Sequence, residues 1–238
     1  MTRVAIFDYG AGNIFSLKNS LEREGATADV ICDFAARPGG DGGRRRDGGN
    51  GSNGNGGAVA DAARRYDGLL LPGVGNFDPA MKAVTRDSES GFSDYVGHGM
   101  PVLGICLGME MFFARSQEGS EPGLGVMSGE VAALPDTMKV PHMGWNSLQI
   151  RRRGRLLEGV EDGAWVYFVH SYMARLPPAP PPPGGADGDV VTAESSYNDV
   201  VIPAAVEYRN YLGTQFHPEK SGPVGRQMIQ NFLGVCRR

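Results

Sequence analysis

Val102-Leu103-Gly104-Ile105-Cys106-Leu107-Gly108 is the stretch on which the fold and the chemistry both turn. Val102 to Ile105 is an apolar run of strand length, and a helical pattern begins near Leu107. Gly-x-Cys-x-Gly between a strand and a helix matches the nucleophile elbow, with cysteine in place of serine. Such a bend holds its central residue in a strained backbone conformation, and neighbours with side chains would collide with it or with a substrate. The helix that follows would put its N-terminus under the sulfur, where the dipole and free N–H groups favour thiolate. Leu107 would then offer one oxyanion N–H. On this motif alone, a buried structural cysteine in a glycine-rich turn is the competing reading.

Outward from the elbow, short apolar runs alternate with helical patterns. Val4–Phe7 reads as a strand followed by a helix from about Ile14 to Glu24, and Leu69–Leu71 is a buried strand ending at Pro72-Gly73-Val74-Gly75. This alternation predicts an α/β fold, a mainly parallel central sheet flanked by helices on both faces. After Gly129 the character changes. Strand-like runs follow at Gly129–Ala132, Asn146–Ile150, Trp165–Val169, Val190–Ser195, Ala204–Tyr208 and Leu212–Phe216, before an amphipathic helix from about Val224 to Val235. Antiparallel strands should therefore extend the sheet.

The 238 residues are expected to form one domain, 1–238, with two interruptions. Residues 39–57 hold no apolar side chain and read as a flexible Gly-rich surface insertion. Residues 177–188 are rich in Pro and Gly and read as an extended surface loop. With 23 basic against 27 acidic residues, the net charge of −4 gives no reason to expect nucleic acid or an anionic membrane. The longest apolar stretch, Ala164–Val169, is far short of the ~20 residues a membrane-spanning helix needs. The N-terminus reads as a strand rather than a signal peptide. Cys32, Cys106 and Cys236 lack the spacing of a disulfide framework or zinc site, so a cytoplasmic address is expected. His98, His142 and His170 show no metal-ligand spacing, and neither metal nor cofactor is expected.

His217-Pro218-Glu219 answers the elbow about a hundred residues later. The histidine emerges at the end of the strand run Tyr211–Phe216, where a neutral imidazole can take the thiol proton if its tautomer is fixed. A carboxylate two residues on, in a non-helical turn, can reach back to fix it. Taken alone, these are also compatible with an ordinary turn histidine beside a surface glutamate. The Pro72–Gly75 loop has glycines that let a backbone N–H approach a substrate carbonyl as a second oxyanion donor. It is otherwise a plain turn or a phosphate loop, although it lacks the spacing of known nucleotide motifs.

Pro72-Gly73-Val74-Gly75, Gly104-Ile105-Cys106-Leu107-Gly108-Met109 and Gln215-Phe216-His217-Pro218-Glu219-Lys220-Ser221 together resemble the class I (triad) glutamine amidotransferases. Asp8-Tyr9-Gly10-Ala11-Gly12-Asn13, Val140-Pro141-His142-Met143-Gly144-Trp145-Asn146 and Tyr167-Phe168-Val169-His170-Ser171-Tyr172 narrow the resemblance to the glutaminase subunits of imidazole glycerol phosphate synthase. The resemblance implies glutamine hydrolysis through a thioester on Cys106, with His217 as base and then acid and Glu219 orienting it. It implies oxyanion donors at Leu107 and at Gly73 or Val74, and substrate contacts at Gly73, Gly75, Leu107 and Glu110. It further implies a heterodimer with a (β/α)8-barrel cyclase subunit that uses the ammonia in histidine biosynthesis. Lys220, Asn13 and Trp145 would lie at or near that partner, and Tyr167 near the entrance to an ammonia passage. Another triad amidotransferase or a stand-alone γ-glutamyl hydrolase is the alternative, and a non-enzymatic scaffold the outsider.

Glu110 departs from the pattern, since the family commonly has Gln four residues after the nucleophile. One helical turn on, it would share a face with Cys106 and raise the thiol pKa. It is expected to be turned away, paired, or in contact with the substrate ammonium or carboxamide.

Overall fold

The computed structural model of the chain describes residues 1–10, 14–34, 64–85, 91–97, 99–177 and 190–237. The 39–57 insertion, nearly all of the 177–188 loop, Asn13 and His98 lie outside the described residues.

Strands β1 (Arg3–Phe7), β2 (Thr27–Ile31), β3 (Gly68–Leu71), β4 (Val102–Ile105) and β12 (Tyr211–Thr214) lie side by side in the order β2-β1-β3-β4-β12, every neighbour parallel. Three antiparallel strands carry the sheet on from β12: β11 (Val200–Tyr208), β10 (Val191–Tyr197) and β7 (Gln149–Ile150). Two antiparallel pairs stand apart, β5 (Glu130–Ala133) with β9 (Tyr172–Arg175) and β6 (His142–Ser147) with β8 (Trp165–His170). The expected parallel core with an antiparallel extension is present.

The apolar runs are continuous because the central strands are buried on both faces. Val4, Ile6, Leu70, Leu103 and Ile105 face one core; Ala5, Phe7, Leu69 and Leu71 face the other, as the alternation of a strand requires. Helix α1 (Ile14–Arg23) covers the first face with Leu17 and Leu21, together with Met228, Ile229, Phe232 and Leu233 of the C-terminal helix. On the second face Phe77, Ala80, Met81 and Val84 come from α2 (Phe77–Thr85), and Tyr95 from α3 (Gly91–Val96).

The helix expected after Cys106 is only one turn, α4 (Leu107–Glu110). The carbonyls that a longer helix would use are taken by a returning segment. The N–H groups of Leu124, Val126 and Gly125 bond to the carbonyls of Met111, Phe112 and Phe113 at 2.8, 2.9 and 3.3 Å. The Asn146–Ile150 run also divides, since Asn146 and Ser147 end β6, Leu148 turns, and β7 pairs with β10. The last helix, α5 (Gly222–Cys236), is slightly longer than its pattern.

Because β1, β3, β4 and β12 are parallel, their carboxyl ends open on one edge of the sheet. That edge is where ligands bind in open α/β sheets. It brings Tyr9, Gly73, Cys106 and His217 to one place. Among the described residues, no helix is long and apolar enough to cross a membrane.

Candidate active site

Cys106 sits between β4 and α4 with φ 49° and ψ −108°, a backbone conformation that residues with a Cβ rarely adopt. It is held there from both sides. Its N–H donates to the Thr214 carbonyl at 2.6 Å, and its carbonyl accepts from the Glu110 N–H at 3.0 Å. The flanking glycines answer to crowding of the backbone. A Cβ on Gly108 would lie 2.1 Å from the Leu71 carbonyl oxygen, and one on Gly104 would lie 2.5 Å from that of Gly108.

The sulfur borders a cavity of about 300 Å³. Gly73, Val74, Gly75, Leu107 and Glu110 line it with Cys106, so all the residues expected at the oxyanion and substrate positions converge there. The facing wall is Val169, His170, Ser171 and Tyr172, at and just after the end of β8. The Tyr9 hydroxyl donates to the Pro72 carbonyl and so ties the glycine loop to the end of β1.

His217 follows β12, and a 3-10 turn, Pro218–Lys220, brings Glu219 back beside it. The His217 Nδ1–H donates to Glu219 Oε1 at 2.8 Å, with both side chains buried. Nε2 is then the acceptor nitrogen, and it is buried with no hydrogen-bond partner among the described residues. The thiol donates instead to the Val169 carbonyl, Sγ to O 3.8 Å. The His217 nitrogen on the side away from Glu219 is thus the one able to accept a proton, while the Cys106 S–H points to Val169.

Glu110 is neither turned away nor exposed; it is 4% exposed, and its Oε1 accepts from Gln215 Nε2 at 2.9 Å. Burial pushes its carboxyl up to about 8; Glu118 adds to the rise, and the Gln215 bond opposes it. Cys106 does not have the activated thiol expected of a helix end. Burial first, and Glu110 second, push it well above the ordinary thiol range. The Leu107 N–H and Gln215, whose Nε2 is 3.7 Å from the sulfur, pull the other way without winning. A single turn of helix has little dipole to offer against full desolvation.

Three site residues carried no role in the sequence: Gln215, Tyr9 and Glu118. The first two stand inside the Gln215–Ser221 and Asp8–Asn13 motifs, and for Gln215 a place two residues before His217 was the available signal. Glu118 has none; it is half-buried on the cavity wall and accepts the Phe77 N–H at 3.0 Å at the start of α2. Burial, first of its causes, raises its carboxyl above the usual range.

His142 and His170, which showed no metal spacing, join each other across β6 and β8. The Tyr172 carbonyl can only accept, so the His170 Nδ1 at 2.7 Å carries the hydrogen. His170 Nε2 then accepts from the His142 Nδ1–H at 2.9 Å. Burial lowers both to about 4, and both rings stay neutral at ordinary pH. On the outer face of the same pair, Trp145 is 52% exposed and Met143 61%. Trp145 packs edge-on against Tyr167 at 6.0 Å, and Lys220 Nζ stands 5.9 Å from the Tyr167 ring centre. Of the four residues expected at the partner surface or the ammonia entrance, Trp145, Tyr167 and Lys220 therefore share one place.

The chain matches the family model described as glutamine amidotransferase class-I over residues 55–235. It belongs to that family. It is 40% identical to a protein of Geobacillus thermodenitrificans named imidazole glycerol phosphate synthase subunit HisH, covering 99% of this chain and 97% of the relative. The subunit of the same name from Cyanophora paradoxa is 35% identical, over 97% and 93%. Among solved structures, a putative GMP synthase protein from Thermoplasma acidophilum shares the fold, with a TM-score of 0.66, 20% identity and coverage of 100% and 94%.

Proposed function

We propose that this protein hydrolyses glutamine to glutamate and ammonia through a γ-glutamyl thioester on Cys106, and that it delivers the ammonia to a (β/α)8-barrel cyclase subunit making imidazole glycerol phosphate and aminoimidazole carboxamide ribotide. The observation that carries the chemistry is the cysteine held at φ 49° over a cavity of about 300 Å³. The near-full-length likeness to the HisH subunits supports the choice of pathway.

In this reading His217 Nε2 takes the thiol proton, and the thiolate attacks the γ-carboxamide carbon. The Leu107 N–H and a backbone N–H of the Gly73–Val74 segment receive the oxyanion. His217 returns the proton to the departing amine, and ammonia leaves. Water, deprotonated by the same nitrogen, then releases glutamate. Glu219 keeps the imidazole in its working tautomer and stabilises the imidazolium. Glu118, the half-buried carboxyl group of the cavity wall, is placed to take the substrate α-ammonium. Trp145, Tyr167 and Lys220 form the partner surface, and Asn13 belongs with them by resemblance alone.

Glutamine hydrolysis measured with and without the cyclase and its ligand tests this. Stimulation by the loaded cyclase is expected; equal rates would sink partner dependence, and no labelled thioester on Cys106 would sink the chemistry.

A further inference from the structure

The thioester chemistry leaves one buried titratable group beside the sulfur without a task. Glu110 lies one helical turn from Cys106 on the same face of α4, with Oε1 held by Gln215 Nε2 at 2.9 Å. The same Nε2 lies 3.7 Å from Sγ, so one amide group spans acid and thiol. Among the described residues, the titratable groups facing Glu110 are Cys106 on its own turn, Tyr9 after β1, and Glu118 beyond the end of α4. Gln215, after β12, is neutral. No cation is among them.

A carboxylate and a thiolate so placed cannot both be charged without two like charges sharing a desolvated site. Only one of them holds its charge easily, and catalysis needs it on sulfur. We propose that Glu110 is a positioning residue that works in its protonated form. As a neutral acid it fixes Gln215 against the sulfur, and its ionisation suppresses the Cys106 thiolate, a built-in alkaline brake on glutamine hydrolysis. The proton lost by Glu110 goes to solvent through the cavity, and no other bond changes. The proposal rests on the reading of Cys106 as nucleophile. The rise of the Glu110 carboxyl to about 8 puts the brake just above neutrality.

Alkylation of Cys106 by iodoacetamide reads the thiolate without glutamine, followed by mass spectrometry of the peptide that carries it. In the wild-type chain the logarithm of the rate should climb to about pH 8 and then flatten over about two units, as coupled titrations do. In Glu110→Gln it should keep climbing. The two rates should agree within about twofold near pH 6.5 and differ by roughly 10- to 100-fold near pH 9.5. Glu118→Gln should keep the bend and move it to lower pH, because Glu118 helps to raise Glu110. Urea melts of each variant establish that it is folded. Superimposable wild-type and Glu110→Gln profiles, or a constant ratio at every pH, would overturn the proposal. A missing bend leaves the glutaminase reading intact. Failure of Cys106 to form a thioester from labelled glutamine removes that reading and leaves the alkylation result standing.

Discussion

Gln215→Leu should separate stability from reactivity at this site. The side chain is fully buried and is asked for two things by its Nε2, a bond to Glu110 and a contact with the sulfur. Its Oε1 is buried with no partner among the described residues. Leucine, of similar volume, removes all three. Below pH 8 Glu110 is a neutral acid, so leaving its oxygen unpaired costs about 1–3 kcal/mol. Deleting the orphaned Oε1 recovers a desolvation penalty of the same size, about 1–3 kcal/mol. The two nearly cancel, and unfolding in urea near neutral pH should change by no more than about 1 kcal/mol. The thiolate has no such compensation. An N–H donated to a charged acceptor contributes about 1.5–3 kcal/mol, so the thiolate population should fall roughly 10- to 150-fold. Alkylation of Cys106 at fixed pH measures this directly, beside urea melts on the same preparations. An unchanged alkylation rate would refute the contact's importance. A stability loss above about 3 kcal/mol would show that the two costs do not cancel and that the amide's role is packing.

Two further outcomes follow from the same site. Glu110 binds a proton in the folded chain up to about pH 8 but gives it up near 4.5 when unfolded, so wild-type stability should fall as pH rises between those values. At about 1.36 kcal/mol per unit the loss approaches 5 kcal/mol; Glu110→Gln should escape it, and a pH-independent difference between their urea midpoints would contradict it. Gly108→Ala places a Cβ 2.1 Å from the Leu71 carbonyl oxygen, which is backbone and cannot rotate away. It should lower stability by about 1–3 kcal/mol and displace Cys106, and a variant with wild-type melting and hydrolysis would show that β3 and α4 separate freely.

The elbow was legible because its causes are local: a strand, a bend and two glycines within seven residues. The parallel core was legible for a related reason, since strands buried on both faces leave unbroken apolar runs such as Leu69–Leu71. What escaped the sequence depends on distant partners. The helix after Cys106 stops at Glu110 because residues 124–126 claim its next carbonyls. Strand β2 sits at the sheet edge with Asp29 and Val30 outside its buried positions, so no unbroken apolar run marks it. Gln215 meets Glu110 across 105 residues of chain, and His142 meets His170 across 28, separations over which no periodicity carries. The thiol's environment was the larger miss, because the desolvation that outweighs the helix end is a property of the packed fold alone.

Strand β8 connects the outer surface to the chemistry through its own backbone. Tyr167, whose ring lies between Trp145 and Lys220 outside, accepts the His217 N–H at 2.9 Å. Its N–H donates to Ser221 Oγ at 3.0 Å, and that hydroxyl donates to the His217 carbonyl at 2.7 Å. Two residues along, the Val169 carbonyl holds the Cys106 thiol proton. One strand therefore holds His217 by one direct hydrogen bond and by a second path relayed through Ser221, and holds Cys106 by a further bond. Before the thiol can donate to His217 Nε2 it must leave Val169, and a displacement of β8 that lengthens the 3.8 Å contact favours that exchange. A partner bound over Trp145 and Tyr167 changes the relative free energies of the two thiol orientations only if it binds one position of β8 better than the other. The outer aromatic face is built on the strand where such a preference would be felt at both Cys106 Sγ and His217 Nε2.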